Sequence, residues 1–443
     1  MSMTGTHRAA TLALAVASLL LMLLATSARA DGLQATRTTL ANGLRVVLAP
    51  DANATAVDVA LWFPSGTRHE RPAQAGLALI TARLGFRAGT EDPLAPMTAT
   101  GGTGSVVVTP DYTSWWTTVP PAGLPDAIAF LAARMKPAPV TPAALAAERA
   151  AIQAERTRGE RTPVARGIAK LWSASWPAHP YASTGAPPAY GADALKAADV
   201  DAWRRARYAC AGAVVTVTGA FDPDSALAGI RTAFEKLPKG NAPSAAAAPA
   251  PRAAQRANDA VDLPARLCLV GWRGPGLGDA DVPALELLAT WLGGGPSSRL
   301  SSSLVRDWNL ALTAQAGFTA QKDGSLLWAL AVVPQGVDSV AVERTLLEAA
   351  GTAVQRELEA FELERARRQT GATIGFALQT ARQRAQVLGE AELLAGDAAV
   401  ALRRYDAIGK LKPADVRRAA QRVMTDAGRA TVWLVPSAKG GAR

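Results

Sequence analysis

Histidine and cysteine are nearly missing from this chain, with three and two among 443 residues. His69 and His179 stand more than a hundred positions apart, and no second histidine follows either at i+4, so the usual histidine-rich zinc ligand sets cannot be assembled. No CxxC occurs, which excludes a cysteine metal site. Cys210 in "YACAGAVV" and Cys268 in "RLCLVGW" each fall in an apolar, strand-like run of a different half. Two buried thiols that never meet is the favoured reading; one disulfide in an oxidising compartment is the other. There is also no block of five or six like charges. The net charge of +10 is therefore spread over scattered arginines on solvated helical faces, which argues against nucleic acid and anionic membranes as partners. Past residue 30, no run is long and apolar enough to cross a bilayer.

What the chain does have is apolar mass. At 49% hydrophobic and 19% charged residues it can bury a large core, enough for about two to four domains. Residues 1–30 are set apart. His7 and Arg8 precede "ATLALAVASLLLMLLATSA", and "ARA" then places small residues at Ala28 and Ala30, the pattern of a cleaved secretory leader. A retained membrane anchor is the alternative. Cleavage would start the mature chain near Asp31; removing Arg8 and Arg29 takes the charge from +10 to +8. The protein is expected to be exported, to the periplasm if the source is Gram-negative.

An internal boundary lies at "KGNAPSAAAAPAPRAAQRAND", where alanine, proline and serine replace any periodic pattern, as in a tether. The expected domains are 31–239 and 259–443, with 240–258 as linker. Both parts start alike. "TTLANGLRVVLAP" and "AVDVALWFPSGTR" are strand candidates, and in the second Val57, Val59, Leu61 and Phe63 alternate as in a half-buried strand. "ARLCLVGWRGP" is the matching strand of the second part. A helix follows in each: "AGLALITARLGFRAGT", bounded by glycines, and "DVPALELLATWLGGG", with Leu285, Leu288, Ala289 and Leu292 on one face. The recurrence suggests a duplication of about 200 residues, each copy an α+β domain with helices on a mostly antiparallel sheet.

"TPAALAAERAAIQAERTRGER" reads as a long helix with Thr141 as N-cap and Pro142 at its first position. Glu148 and Glu155 are two turns apart and share a face. By pattern alone, glutamates so placed face water.

Together these segments resemble the pitrilysin/insulinase family of metallopeptidases, from about Leu33 to the C-terminus. "LANGLRVVLAP" is similar to the family's opening strand, and "WFPSGTRHE" with "AGLALITARLGFRAGT" to its Gly-Ser-Arg-x-Glu segment and zinc helix. "VVVTPDYTSWWTTVPPAGLPDAIAFLAARM" resembles the substrate-binding edge strand and following helix. "ERAAIQAER", "HPYAS" and "GAFDPDSALAGIRTAFEKLPKG" resemble the distal glutamate helix, the His-Pro-Tyr segment and the close of the first domain. "GGGPSSRLSSSLVRDWNLAL" and "FELERARRQ" are similar to hallmarks of the second.

The resemblance implies two homologous α/β-roll domains forming half of a clamshell, and an inverted His-x-x-Glu-His zinc motif on the first helix. Here Leu79 falls at the first histidine, Ala82 at the catalytic glutamate and Arg83 at the second histidine. Glu155 keeps the distal ligand's position and Glu148 its supporting one. No catalytic residue and no zinc are therefore expected in this chain. If the inherited fold brings the helices together, the Arg83 guanidinium replaces the metal's charge and pairs with Glu155, or Glu148 too; otherwise it snorkels outward. The resemblance also implies contact roles for the edge-strand residues Ser105, Val106, Val107 and Val108. A substrate-holding Arg/Tyr pair of the family maps to Arg306 and Leu312, so its tyrosine is lost. Arg306 reads equally as an ordinary exposed arginine.

Three functions follow. The first is a non-catalytic partner or scaffold of a zinc-bearing homologue, enclosing peptide substrate in a shared chamber of a heterodimer. The second is a metalloendopeptidase with an unusual site. The third is a stand-alone peptide-binding or envelope assembly protein.

Overall fold

A computed structural model describes residues 35–90, 92–160, 162–185, 194–243, 253–261 and 265–437. The leader, and 244–252 of the tether, lie outside the described residues. Elements of the first half run β1 Thr36–Thr39, β2 Arg45–Pro50, β3 Val57–Phe63, α1 Leu77–Arg87, β4 Thr103–Val108, β5 Thr113–Val119, α2 Leu124–Arg134, α3 Pro142–Glu160, α4 Pro163–Ser175, α5 Ala197–Arg207, β6 Val214–Gly219 and α6 Pro223–Phe234. The second half continues with β7 Arg256–Val261, β8 Arg266–Gly274, α7 Val282–Gly293, β9 Thr313–Ala320, β10 Ser325–Val333, α8 Ser339–Gln355, α9 Ala360–Phe376, α10 Ala381–Ala395, α11 Ala399–Lys410, α12 Pro413–Val423 and β11 Arg429–Pro436. Strand β7 begins three residues inside the stretch read as tether, because Arg256, Ala257 and Asn258 pair with β11.

The duplication is visible in the sheets. Their orders are β1-β2-β6-β3-β5-β4 and β7-β11-β8-β10-β9. Without β1 the two superimpose strand for strand, including polarity: β2 runs parallel to β6 as β7 does to β11, and the remaining pairs are antiparallel. In each sheet the half's last strand thus returns to pair in parallel with an early one, β6 with β2 and β11 with β7. Free thiols match the expectation of cysteines kept apart, except that Cys210 sits in the turn before β6 and not in a strand.

One face of each sheet packs on its own half's helices. Val57, Val59, Leu61 and Phe63 meet Leu77, Ile80 and Leu84 of α1, Leu131 of α2 and Phe234 of α6. Val270 and Trp272 of β8 meet Leu285, Leu288 and Leu292 of α7. The other face is covered by a helix from the opposite half. Leu171 and Trp172 of α4 join Leu267, Leu269, Leu330 and Leu434 of the second sheet. In return α10 lies across β6 and β3. Small residues set the distances: a Cβ on Gly389 of α10 would come within 2.3 Å of the Trp62 indole, and one on Gly271 within 3.0 Å of Leu326 and 3.1 Å of Leu171. This exchange corrects the reading of β3 as half-buried. All seven of its residues are buried, because Asp58, Ala60 and Trp62 lie under α10 while the alternating aliphatics face the core.

Candidate functional site

Glycine and a carboxylate make the start of α1. Gly76 takes φ +93°, a left-handed turn that other residues disfavour, and Glu70 stands in for the missing cap side chain. Its two oxygens accept the Gly76 and Ala78 N–H groups at 3.1 and 2.7 Å. Burial pushes the Glu70 carboxyl up to about 7, against the pull of those two donors. At the other end Ala88 and Gly89 both have positive φ, which stops the helix.

Between these ends sit the three residues that the family resemblance assigns to the zinc motif. Leu79 is partly buried and packs against the first core. Ala82 is fully buried, and its carbonyl accepts the Trp115 indole N–H at 3.0 Å. Arg83 reaches α3, where Nη2 donates to Glu155 Oε2 at 2.6 Å and Nη1 lies 3.8 Å from Glu148 Oε2. A residue not singled out from sequence completes the group: Arg87, one turn further, places Nε 2.8 Å from Glu148 Oε1. Its signal was available, since Arg83 and Arg87 are i and i+4 on one helix face. The acid that needs neutralising is Glu148, which is 2% exposed; the Glu155 side chain is 43% exposed and meets water as well as Arg83.

Two cations and two anions therefore balance on the facing surfaces of α1 and α3. Leucine and alanine offer no metal donor, arginine stays protonated, and Glu155 is engaged by Arg83, so these side chains do not fit a zinc ion. Among the described residues, no group of three or more His, Cys, Asp and Glu is placed to hold a metal. A cleft of about 510 Å³ opens beside the cluster, lined by Thr81, Leu84, Arg87, Val140, Glu148 and Arg204 among others.

Both described histidines have structural jobs. Nδ1 of His69 accepts the Gly66 N–H at 3.1 Å and Nδ1 of His179 accepts the Tyr181 N–H at 3.1 Å. Burial lowers the pKa of both rings, that of His69 to about 4. The neighbours of these histidines tie the halves together. Arg68 donates to Asp111 at 2.7 Å and to the Tyr181 hydroxyl at 3.0 Å, and also pairs with Asp323 of the β9–β10 turn. Asp111 in turn accepts the Lys322 N–H at 2.8 Å.

The remaining positions are on the surface. Among the described residues strand β4 pairs only with β5, which leaves its other edge free. Val106 and Val108 pack on the core, and Ser105 is exposed. Beyond Val108 the edge is closed, because Thr67 and Arg68 donate to the Thr109 and Pro110 carbonyls. In the second half, Arg306 is exposed and bonds its neighbour Asp307 at 3.2 Å, while Leu312 and Trp308 are 59% and 69% exposed. The structure does not bring Arg306 or Leu312 into the α1–α3 cluster.

A duplicated α+β unit whose first helix and distal glutamate helix face each other is the class of architecture found in clamshell metallopeptidases. Sequence comparison agrees with the geometry: the model of the insulinase family, peptidase family M16, matches residues 45–188, and that of the peptidase M16 inactive domain matches residues 194–370. The chain belongs to the M16 peptidase family, as a member without the zinc motif. Its fold is similar to a crystal structure of a protease from Helicobacter pylori, at 21% identity, TM-score 0.83, over 91% of this chain and 100% of that one. It is also similar to a peptidase M16 inactive domain from Pseudomonas fluorescens, at 18% identity, TM-score 0.81, over 91% and 98%. A chain of complex III2 from Candida albicans matches at 17% identity, TM-score 0.78, over 90% and 95%. No curated protein matches the sequence significantly.

Proposed function

We propose that this chain is a non-catalytic subunit, the partner or scaffold of a zinc-bearing homologue in an exported, peptide-processing complex. The observation that supports the reading is the Arg83–Glu155 contact: a guanidinium bonds the acid to which the resemblance gives the distal ligand's place. Hydrolysis of a peptide needs an activated water or a nucleophile with a base at hand. Leu79, Ala82 and Arg83 supply neither, and both described histidines are committed to backbone donors.

In the complex, the free edge of β4 at Ser105 to Val108 would take an extended peptide as an added strand, backbone to backbone. Arg306 and Leu312 would face partner or substrate from the second half. The exported site, in the periplasm of a Gram-negative source, rests on the leader.

Affinity purification of the tagged chain from its native cell, followed by a zinc assay, tests the proposal. The expected result is a complex holding one zinc per heterodimer, carried by the other chain, and no peptide cleavage by this chain alone. Chelator-sensitive cleavage by the purified chain would favour the metalloendopeptidase reading. Recovery of the chain alone, able to bind peptide, would favour a stand-alone binding protein.

A further inference from the structure

The two exchanged helices are seated on very different surfaces. Under α4 the contact is apolar: Leu171, Trp172 and Ala174, with Trp176 just beyond, against leucines and valines of β8, β10 and β11. Helix α10 contributes to none of the three apolar clusters. It does bury Ala385 and Leu388 and lays Gly389 on the Trp62 indole, but around that packing its contact with the first sheet is charged and hydrogen-bonded. Arg382 lies over the Trp116 ring at 4.5 Å with Nη1 3.6 Å from Asp58 Oδ1, and Arg384 pairs with Asp51. Gln386 donates to the Tyr112 hydroxyl at 2.6 Å, and Glu390 stands 3.4 Å from the same hydroxyl. Glu392 takes Arg45 at 2.7 Å and Arg37 at 2.9 Å. Thr218 donates to the Ala381 carbonyl at 2.6 Å.

Such a seam costs less to open than the one under α4. Lifting α10 bares Trp62 and Leu388, but its charged and polar groups exchange protein partners for water, whereas lifting α4 would expose a wholly apolar contact for no compensation. It is also imperfectly satisfied: Asp58 Oδ1 and Arg382 Nη1 are both buried without a hydrogen-bond partner. Water would satisfy both. Gly396, at φ +76°, ends α10 in a left-handed turn.

We propose that α4 is the fixed anchor between the halves and α10 a latch, which lifts off the first sheet while both sheets remain folded. Opening would bare the outer face of β3, with Asp58 and Trp62, to solvent.

The latch is tied to protons. Burial, only partly offset by Arg382 and the Thr118 hydroxyl, pushes the seated Asp58 carboxyl up to about 6. Burial raises Glu390 as well and lowers Arg382. The other charged or titratable groups on the seam are Arg384, Glu392, Asp51, Arg45, Arg37 and Tyr112, with Asp111 acting on Glu390. A carboxyl raised in the seated state holds a proton that it loses on release. The seat is firmest in acid and loosens as pH climbs through about 6. Asp58 alone, relaxing to the ordinary 3.8, would raise the opening constant roughly tenfold between pH 5 and 7.5.

Hydrogen exchange on the whole chain, corrected for intrinsic rates, tests the latch. Amides of 384–395 are expected to open more readily than those of 167–175, and about tenfold more at pH 7.5 than at pH 5, with α4 unchanged. Asp58→Asn should flatten that dependence. Gly389→Ala, whose Cβ would strike Trp62, should speed exchange in α10 alone. The comparison of the two helices in the parent protein decides the matter even if a variant fails to fold. Equal opening of α4 and α10 at every pH would overturn the proposal, as would an α10 opening that does not change with pH.

Discussion

Arg83 and Arg87 divide two acids between them, but the two arginines are not equivalent. Arg87 holds the buried Glu148, while Arg83 mainly meets the half-exposed Glu155. Removing a partner from a buried carboxylate costs far more than breaking an exposed pair. Arg87→Met should therefore destabilise the chain by about 2 kcal/mol and Arg83→Met by less than about 1 kcal/mol, read from urea unfolding. Adding Glu148→Gln to Arg87→Met should recover much of the loss, since it removes the stranded charge. From the sequence, the helix that carries Leu79, Ala82 and Arg83 was legible, because its glycine boundaries are local. That Glu148 and not Glu155 is buried was not, because burial depends on how α3 rolls against α1. Glu70 yields a second test. Its carboxyl is raised from 4.5 to about 7, so between those values the folded chain binds more protons than the unfolded one. Stability from this group is full below about 4.5 and is lost as pH rises toward 7, on the order of 2–3 kcal/mol. Glu70→Gln should remove that part of the pH dependence in unfolding curves taken at pH 4.5 and 7.5.

The family resemblance assigns a former metal site to the facing surfaces of α1 and α3, and installing ligands there tests that assignment. Leu79→His with Arg83→His puts two imidazoles at i and i+4 on the α1 face that meets α3, and frees Glu155 as third ligand. This pair, with Ala82→Glu, should take up one equivalent of zinc by metal analysis after dialysis. Arg83→His alone should take up none, since one imidazole and one carboxylate make a weak site. No uptake by the triple variant would mean that the side chains at 79 and 83 do not converge with Glu155. Element positions were read well where a periodic pattern had local punctuation: Thr141 caps α3 through the Ala144 N–H at 3.1 Å, as its place before Pro142 suggested. Reading failed where a second layer intervened. The alternation in β3 correctly marked one face, but nothing in residues 57–63 tells that a helix more than 300 positions away covers the other.

Exchange of α4 and α10 makes each half incomplete. Without α10, the first sheet would expose Trp62 and an uncompensated Asp58; without α4, the second would expose Leu267, Leu269, Leu330 and Leu434. A buried leucine contributes roughly 1.5–3 kcal/mol, so the loss of four is comparable to the whole stability of an ordinary domain. The copies on either side of the stretch read as tether, 240–258, are thus bound together in space, the described residues of both falling in one compact unit. The Arg68, Asp111, Tyr181 and Asp323 network closes the same seam with polar groups drawn from both halves. Cutting the chain at residue 250 separates the effects. Residues 31–250 and 251–443 made separately should aggregate, the first because α4 leaves its own half and carries Leu171 and Trp172 into solvent, the second because it lacks that cover. Made together they should form a 1:1 complex that elutes with the intact chain in size-exclusion chromatography. Two fragments that are each soluble, monomeric and cooperatively folded would show that the exchanged helices are not what holds the halves together.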